Sequence, residues 1–134
     1  MALICFYFQV HQQFRVKDYR VFDIGNDSEY FNDDSDRPIK NKKILNKVAG
    51  KCYLPANAVM LELLNKHPEF KISFSFSGVF LDQLQEFSPE TLESFQKLVA
   101  TGRVEVLSET YYHSLSFLYS PEEFRRQEKC IVKK

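Results

Sequence analysis

The amino-terminal segment places the strongest constraint on the fold of this chain. Residues 2–8 are an unbroken run of apolar side chains, and after Gln9 and Val10 the run ends in the polar motif His11-Gln12-Gln13. Strands of parallel sheets are covered on both faces and therefore appear as continuous apolar runs, and α/β folds bind ligands at the carboxyl ends of such strands. The segment predicts a buried strand with His11 at a binding edge, although a histidine there can also be a core-edge residue bonded to backbone.

The chain has the size and composition of a single domain, residues 1–134. Its 44% hydrophobic and 15% aromatic content is enough to form a core. Eighteen basic residues balance eighteen acidic ones, which leaves no electrostatic argument for nucleic acid or an anionic membrane as a partner. The apolar start is too short for a membrane span and lacks the basic region of a signal peptide, so neither is expected.

The three cysteines, Cys5, Cys52 and Cys130, are far apart and form no CxxC pair and no metal-ligand spacing. An odd number of scattered cysteines is typical of reduced thiols. We therefore expect a cytoplasmic protein with no structural metal and no cofactor.

A long loop is predicted from Phe14 to Arg37, and its length is typical of a functional or lid-like loop. It carries the acidic run Asn32-Asp33-Asp34-Ser35-Asp36, but the glycine and the final glutamate of a calcium loop are absent at the required offsets. Solvated carboxylates are the simpler interpretation. Three aromatic residues of the loop either offer a stacking surface or pack the loop down, namely Phe22, Tyr30 and Phe31.

Two helices and a second strand are predicted after the loop. One helix begins at Pro38 and the other runs from Pro55 to Lys66, with Gly50 between them. The stretch from Lys71 to Ser77 alternates bulky apolar residues with serines, which is the period of a strand. In a barrel, the bulky residues would face the helices and the serines would face the crowded interior.

Later boundaries are marked by local capping signals. Ser88-Pro89 begins a helix that Gly102 ends, and Ser120-Pro121-Glu122-Glu123 has the pattern of a capping box at the start of another helix. Between them, a third strand from Val104 to Leu107 leads into the polar sequence Ser108-Glu109-Thr110-Tyr111-Tyr112-His113. Each of the three predicted strands therefore ends in polar residues.

The order strand, helix, strand, helix, strand, helix predicts an α/β fold with a parallel sheet, right-handed crossovers and one active edge. Three strands cannot close a barrel, so both edge strands would be bare. We expect a part of a larger barrel, or a chain that forms homo-oligomers through its open sheet edges.

Three motifs in order resemble glycoside hydrolase family 57, the family of α-amylases, glucanotransferases and branching enzymes. His11-Gln12-Gln13 is similar to its His-Gln-Pro signature, and Phe76-Ser77-Gly78 is similar to its strand-end Phe-Ser-Gly. Gly102-Arg103-Val104-Glu105-Val106, followed by Tyr111-Tyr112-His113, resembles its second signature region. The motifs span almost the whole chain and favour the α-amylase-like branch. Gln13 and Ser114 depart from the family pattern because proline is common at both positions.

The resemblance implies both a fold and a chemistry. The fold is a partial (β/α)7-type barrel made of three parallel strand-helix units (βαβαβα), and the family acts on α-glucans by a retaining mechanism with a glutamate nucleophile and an aspartate acid/base. In the family, both carboxylates come after the two signature regions matched here. We therefore expect no catalytic residue in this chain, which would be the amino-terminal part of an α-amylase or 4-α-glucanotransferase type of enzyme and would not turn over alone.

The resemblance also implies substrate-binding roles on an α-glucan or maltooligosaccharide. It makes His11 a donor to a sugar hydroxyl, with Gln12 as its support, and it makes His113 a sugar contact at the end of the third strand. By its chemistry, Glu109 can hydrogen-bond a sugar or form an ion pair with an arginine. The pair Tyr111-Tyr112 can stack on sugar rings or pack in the core.

Two other functional classes remain open. A metal-dependent hydrolase similar to polysaccharide deacetylases would use His11, Glu109 and His113 as a two-histidine, one-carboxylate site. The sequence contains no HxxxH ligand motif that supports this class, and its two candidate histidine ligands are far apart along the chain. A noncatalytic glucan-binding or assembly fragment would need only the sugar contacts.

Overall fold

The computed structural model describes residues 4–31 and 40–131. Its strands are β1 (Tyr7–Val10), β2 (Ile72–Phe76) and β3 (Val104–Leu107), and its α-helices are α1 (Asn41–Val48), α2 (Leu54–Lys66), α3 (Gly78–Phe87), α4 (Pro89–Ala100) and α5 (Pro121–Ile131). Short 3₁₀ turns cover Val21–Asp23 and Ser116–Leu118.

The three strands form one parallel sheet in the order β1-β2-β3. Tyr7 lies opposite Ser73, and Ile72 lies opposite Val104. Because each strand is added beside the one before it, right-handed crossovers place the connecting helices on the same face of the sheet, as in a barrel. The predicted fold of three parallel strand-helix units is confirmed, and β1 and β3 are the two edge strands of the described sheet.

The first strand is shorter and more exposed than its apolar sequence predicts. It covers only Tyr7–Val10, and Tyr7 is 50% exposed whereas Val10 is 8% exposed. The prediction of burial on both faces is wrong for this segment, because helices cover one face of the sheet and leave the other open. Ile4, before the strand, is also exposed, and residues 1–3 lie outside the described residues.

The covered face of the sheet carries the hydrophobic core. Phe74 and Phe76 of β2 are buried against Phe80 of α3 and Phe95 of α4. The rings of Phe76 and Phe95 meet edge to face with centroids 5.1 Å apart, a favourable arrangement for aromatic pairs. This is the bulky face that the alternating sequence of the second strand predicts.

Helices α1 and α2 are joined end to end through a π-helical turn, Ala49–Tyr53, instead of being two separate helices. Gly50 therefore does not interrupt the helical backbone. Pro55 lies in the first turn of α2, where its ring would clash with the carbonyl four residues earlier in a regular helix. The wider π turn gives the ring space. The predicted start at Pro38 and the acidic run fall in residues 32–39, outside the described residues.

The predicted boundaries of α4 and the predicted start of α5 are confirmed, but the capping contacts differ from those predicted. The hydroxyl of Ser88 bonds to that of Thr91 at 2.7 Å and does not cap a backbone amide. Ser120 does cap α5, since its hydroxyl accepts from the amide of Glu123 at 3.2 Å. The carboxylate of Glu123 turns to Arg126 instead of completing the capping box.

Within residues 4–31 and 40–131, no helix is both long enough and apolar enough to cross a bilayer.

Candidate functional site

The open face of the sheet is lined mainly by polar side chains. The register brings Tyr7 and Gln9 of β1 beside Ser73 and Ser75 of β2. The Tyr7 hydroxyl bonds to Ser75 Oγ at 2.7 Å. Glu105 of β3 lies on the same face, opposite Ser73. Because the serines of the central strand are small, the longer polar side chains of the edge strands meet above them.

At the carboxyl edge of the sheet, two histidines from different strands stack on each other. His11 follows β1 and His113 follows β3, and their ring centroids lie 4.3 Å apart with planes inclined by 22°. The central strand separates their parent strands. The stack therefore forms only when the whole sheet is assembled, and it brings together the two histidines singled out in the sequence.

His11 is held by the end of the central strand. Its Nδ1 lies 2.7 Å from the hydroxyl oxygen of Ser77. Burial lowers the pKa of His11 below its ordinary value, and the neighbouring His113 lowers it further, against a smaller opposite effect of Glu109. His11 is therefore neutral at neutral pH and can donate only one ring hydrogen.

Glu109 links the open face to the stacked histidines. Its Oε2 accepts a hydrogen bond from Ser75 Oγ at 2.8 Å. Its Oε1 accepts from Gln9 Nε2 at 3.2 Å and from Nδ1 of His113. The predicted alternative, an ion pair with an arginine, does not describe this carboxylate, since its partners in the described part of the chain are a serine, a glutamine and a histidine.

His113 has a strained backbone. It has a φ of 54°, and no other non-glycine residue in ranges 4–31 and 40–131 has a positive φ. Its amide donates to the carbonyl of Thr110 at 3.1 Å, and Thr110 Oγ1 accepts from the amide of Ser114 at 2.8 Å. A left-handed conformation costs a bulky residue about 1–3 kcal/mol and is kept where the surroundings require it. Here the tight turn directs the imidazole onto His11.

Tyr111 and Tyr112 have different environments. The ring of Tyr111 lies directly over Gly78, and its hydroxyl bonds to Asp82 of α3. Tyr112 is half exposed, while its amide donates to the buried Gln127 of α5 at 3.3 Å. Tyr111 is therefore a packing residue, and Tyr112 is the member of the pair with a free ring surface.

Gln12 is buried beneath the strand end. Its carbonyl accepts from Nε2 of the fully buried Gln83 at 2.7 Å, and within the described residues its own Nε2 has no partner. This position favours support of the backbone next to His11 over direct contact with a ligand. The substrate-binding role of Gln12 stays a prediction.

The three loop aromatics are exposed, and they differ in their ring neighbours. Phe22 is largely exposed, whereas Tyr30 and Phe31 pack against other loop rings, those of Tyr19 and Phe14. Their proposed stacking role also stays a prediction.

The sequence did not identify Tyr7, Gln9 and Ser75 as members of the site, and it indicated Ser77 only as part of the strand-end motif Phe76-Ser77-Gly78. The signal that can find them is the alternation of small serines along the second strand, because it identifies the face on which neighbouring strands place their polar residues. Which residues then meet depends on strand register, and the sequence alone does not state it.

The three residues required by the metal-site alternative do lie together. However, no group of three histidine, cysteine or carboxylate side chains in the described ranges is arranged to hold a metal ion. The imidazole planes of His11 and His113 are inclined by only 22° and stacked, so the in-plane lone pairs of their nitrogens lie in nearly parallel planes and do not converge on one point. Glu109 binds the edge of one ring.

Comparison with known proteins gives the family. The model of glycosyl hydrolase family 57 matches residues 5–130. The chain belongs to this family. Family 57 relatives include a Methanocaldococcus jannaschii protein described as a candidate α-amylase, 42% identical over 122 residues that make up 90% of this chain and 25% of that protein. The α-amylase of Pyrococcus furiosus is 30% identical over 62% of this chain and 12% of its own length. This chain thus spans a quarter or less of these two relatives.

The fold of the family is also recognised in a solved structure. The 4-α-glucanotransferase of Thermococcus litoralis superposes with a TM-score of 0.62 over 96% of this chain and 16% of that chain, at 19% sequence identity. At this identity the likeness concerns the fold alone. The three strand-helix units correspond to a small part of that larger protein.

Proposed function

We propose that the open face of the sheet is a sugar-binding surface, and that the chain contributes it to an α-glucan-active enzyme of the α-amylase or 4-α-glucanotransferase type. The observation that carries this proposal is the convergence of polar groups from all three strands on the stacked His11–His113 pair at the carboxyl edge. The names of the relatives, α-amylase and 4-α-glucanotransferase, support the same substrate class.

The side chains of this surface match the chemistry of a neutral carbohydrate. His11 is neutral and offers a ring nitrogen to a sugar hydroxyl, and Glu109 holds His113 beside it. The half-exposed ring of Tyr112 can cover the apolar C–H face of a sugar. Gln12 supports the strand end from below.

We expect binding without turnover by this chain alone. Retaining glycosidases use two carboxyl groups about 5–5.5 Å apart, one of which must be free to attack the sugar. Both oxygens of Glu109 are occupied by donors from Ser75, Gln9 and His113. Such a carboxylate orients its neighbours and is poorly placed to act as a nucleophile.

The test is a titration of the isotopically labelled chain with maltoheptaose, followed by NMR. His11→Ala should weaken binding about tenfold, which is the loss of one hydrogen bond in a polar site. His67→Ala is the matched control, because His67 follows α2 at the opposite end of β2 and should leave binding unchanged. Equal affinity of the wild type and His11→Ala would refute the proposed site.

A starch-hydrolysis assay of the same samples separates the enzymatic alternatives. Robust activity of the wild-type chain that is lost in His11→Ala would refute the expectation of binding without turnover. If the rest of the family barrel is supplied as a second polypeptide, an enzyme fragment should regain activity, whereas a noncatalytic glucan-binding module should not.

We further propose a cytoplasmic location and self-association through the sheet edges. The location is supported by Cys5, Cys52 and Cys130, which are all free thiols. Self-association is supported by the edge strands β1 and β3, each of which has a neighbouring strand on one side only within residues 4–31 and 40–131. Sedimentation velocity tests the second point, and a stable monomer across a wide concentration range would contradict it.

A further inference from the structure

The hydrogen-bond partner of His11 decides which of its nitrogens carries the proton. Ser77 is fully buried, with 0% of its surface exposed, and its hydroxyl lies 2.7 Å from Nδ1 of His11. In the described part of the chain, the hydroxyl has no second hydrogen-bond partner. Its hydrogen must therefore point to Nδ1, because a buried hydroxyl hydrogen without an acceptor costs about 1–3 kcal/mol. Nδ1 is then the acceptor, and the ring hydrogen of His11 is on Nε2.

The remaining groups around Ser77 agree with this assignment. Its amide donates to the carbonyl of Val10 at 3.3 Å, and its carbonyl accepts from the amides of Phe80 and Leu81 at 3.1 and 3.2 Å. These last two bonds begin helix α3, whose positive end disfavours a second proton on the adjacent imidazole. Burial of His11 acts in the same direction on its pKa.

The partner of His113 imposes the opposite arrangement. Its Nδ1 bonds to a carboxylate oxygen of Glu109, which can only accept. The other oxygen of Glu109 accepts from Ser75, whose own lone pair can accept from the hydroxyl of Tyr7. Every partner of Glu109 is thus a donor, and the ring hydrogen of neutral His113 must be on Nδ1. In this neutral form of His113, Nε2 is a bare acceptor.

We infer that Ser77 and Glu109 hold the two stacked imidazoles in opposite tautomers, so that the site presents one N–H donor and one bare nitrogen acceptor on two adjacent rings. This pairing selects two neighbouring hydroxyls of a neutral sugar. One hydroxyl accepts from His11 Nε2–H and the next donates to His113 Nε2. A carboxylate or phosphate, which only accepts, would be repelled by the lone pair of His113. An ammonium group, which only donates, would be repelled by the N–H of His11. The ligand half of this inference rests on the proposed function, but the tautomers do not.

The tautomers can be measured without any ligand. Long-range ¹⁵N–¹H correlation spectra of the labelled chain at about pH 8, above the imidazole titration range, distinguish protonated from bare ring nitrogens. We expect bare Nδ1 and protonated Nε2 for His11, and the reverse for His113. His67, the third histidine of the chain, is the internal reference, because it is bonded to neither Ser77 nor Glu109. The same tautomer in both stacked rings would overturn the inference.

Two variants test the positioning residues separately. Ser77→Ala should move the ring nitrogen signals of His11 toward a mixture of tautomers and leave those of His113 unchanged. Glu109→Gln should move the signals of His113 toward a mixture and leave those of His11 unchanged. Each should weaken maltoheptaose binding about 3-fold to 10-fold, the effect of one misdirected hydrogen bond. A residue that only supported the fold would change affinity without changing the nitrogen signals. Dispersed amide spectra confirm that each variant is folded, and Glu109→Gln provides the test if Ser77→Ala does not fold.

The outcomes separate this inference from the proposed function. Opposite tautomers without maltoheptaose binding would refute the glucan site and leave the tautomer assignment intact. Maltoheptaose binding with equal tautomers would refute the assignment and leave the glucan site intact. Inorganic phosphate serves as the charged probe, and binding as tight as that of maltoheptaose would refute the selection of neutral hydroxyl pairs.

Discussion

The contact between Gly78 and Tyr111 leads to a stability prediction for Gly78→Ala. A Cβ atom at residue 78 would lie 2.2 Å from Cδ2, 2.4 Å from Cε2 and 2.5 Å from Cγ of Tyr111. Carbon atoms pack best at about 3.5–4.0 Å, so the ring would have to move by more than an ångström. The Tyr111 ring is held by the hydrogen bond between its hydroxyl and Asp82. The backbone of Tyr111 is also held, because its carbonyl accepts from the amide of Val79 at 3.1 Å.

Two opposing effects set the size of the change. Forcing extra volume into a packed site destabilises a protein by about 1–3 kcal/mol. Alanine in place of glycine in a helix interior stabilises it by up to about 1 kcal/mol, and by less at the first position of α3, where Gly78 lies. We therefore expect a net decrease of about 1–2 kcal/mol in the free energy of unfolding.

Urea denaturation of the purified chain measures this change. Gly50→Ala is the matched control, because residue 50 is in the π-helical turn and a Cβ there meets no atom of the described structure within 4 Å. This control should stabilise the chain by about 0.5–1 kcal/mol. In a Tyr111→Ala background, Gly78→Ala should lose its destabilising effect.

The two glycine variants are thus expected to change stability in opposite directions. If Gly78→Ala is as stable as the wild type while the spectrum of the Tyr111 ring is unchanged, the close contact does not exist and the reasoning fails. An equal destabilisation in the Tyr111→Ala background would also refute it, because the loss would then not come from the ring.

Three further predictions concern the core, a cap and an ion pair. Phe80→Ala should lower the free energy of unfolding by about 3–5 kcal/mol in urea denaturation, because Phe80 is fully buried, whereas Phe22→Ala should change it by less than about 0.5 kcal/mol, because Phe22 is 86% exposed. Ser120→Ala should lower it by about 1 kcal/mol, because the hydroxyl caps α5, and no loss would show that water replaces the cap. Hydrogen bonds from Arg126 and, to a smaller extent, Gln127 lower the pKa of Glu123 from 4.5 to about 2, so the stabilising effect of these contacts is complete above about pH 4.5 and is lost as the pH falls through about 2. In Arg126→Gln, NMR titration should find the pKa of Glu123 closer to its ordinary value, and an unchanged pKa would contradict the pairing.

The order of the elements could be predicted because its signals are local. Alternating serines identify β2, and the sequences at Ser88, Gly102 and Ser120 mark helix boundaries within a few residues of chain. The placement of His11 and His113 at one sheet edge followed from the rule that parallel strands end together. The structure brings them into direct contact.

Other features could not be predicted because they depend on distant parts of the chain. The bond between Gln9 and Glu109 requires a register that only the assembled sheet defines. The left-handed backbone of His113 is imposed by a turn closed by Thr110. The exposure of Tyr7 reflects which face the helices cover, whereas its sequence neighbours are apolar.

The order β1-β2-β3 has a consequence for how the molecule is made. Each strand pairs with the strand synthesised just before it, so a later strand never has to separate an existing pair. A ribosome adds about 5–20 residues per second, which is slow compared with helix formation and local loop closure in microseconds or less. The β1-to-β2 unit can therefore assemble while β3 is still being translated. The sheet can therefore grow in the same order as the polypeptide, with each newly synthesised strand added at the edge of the existing sheet.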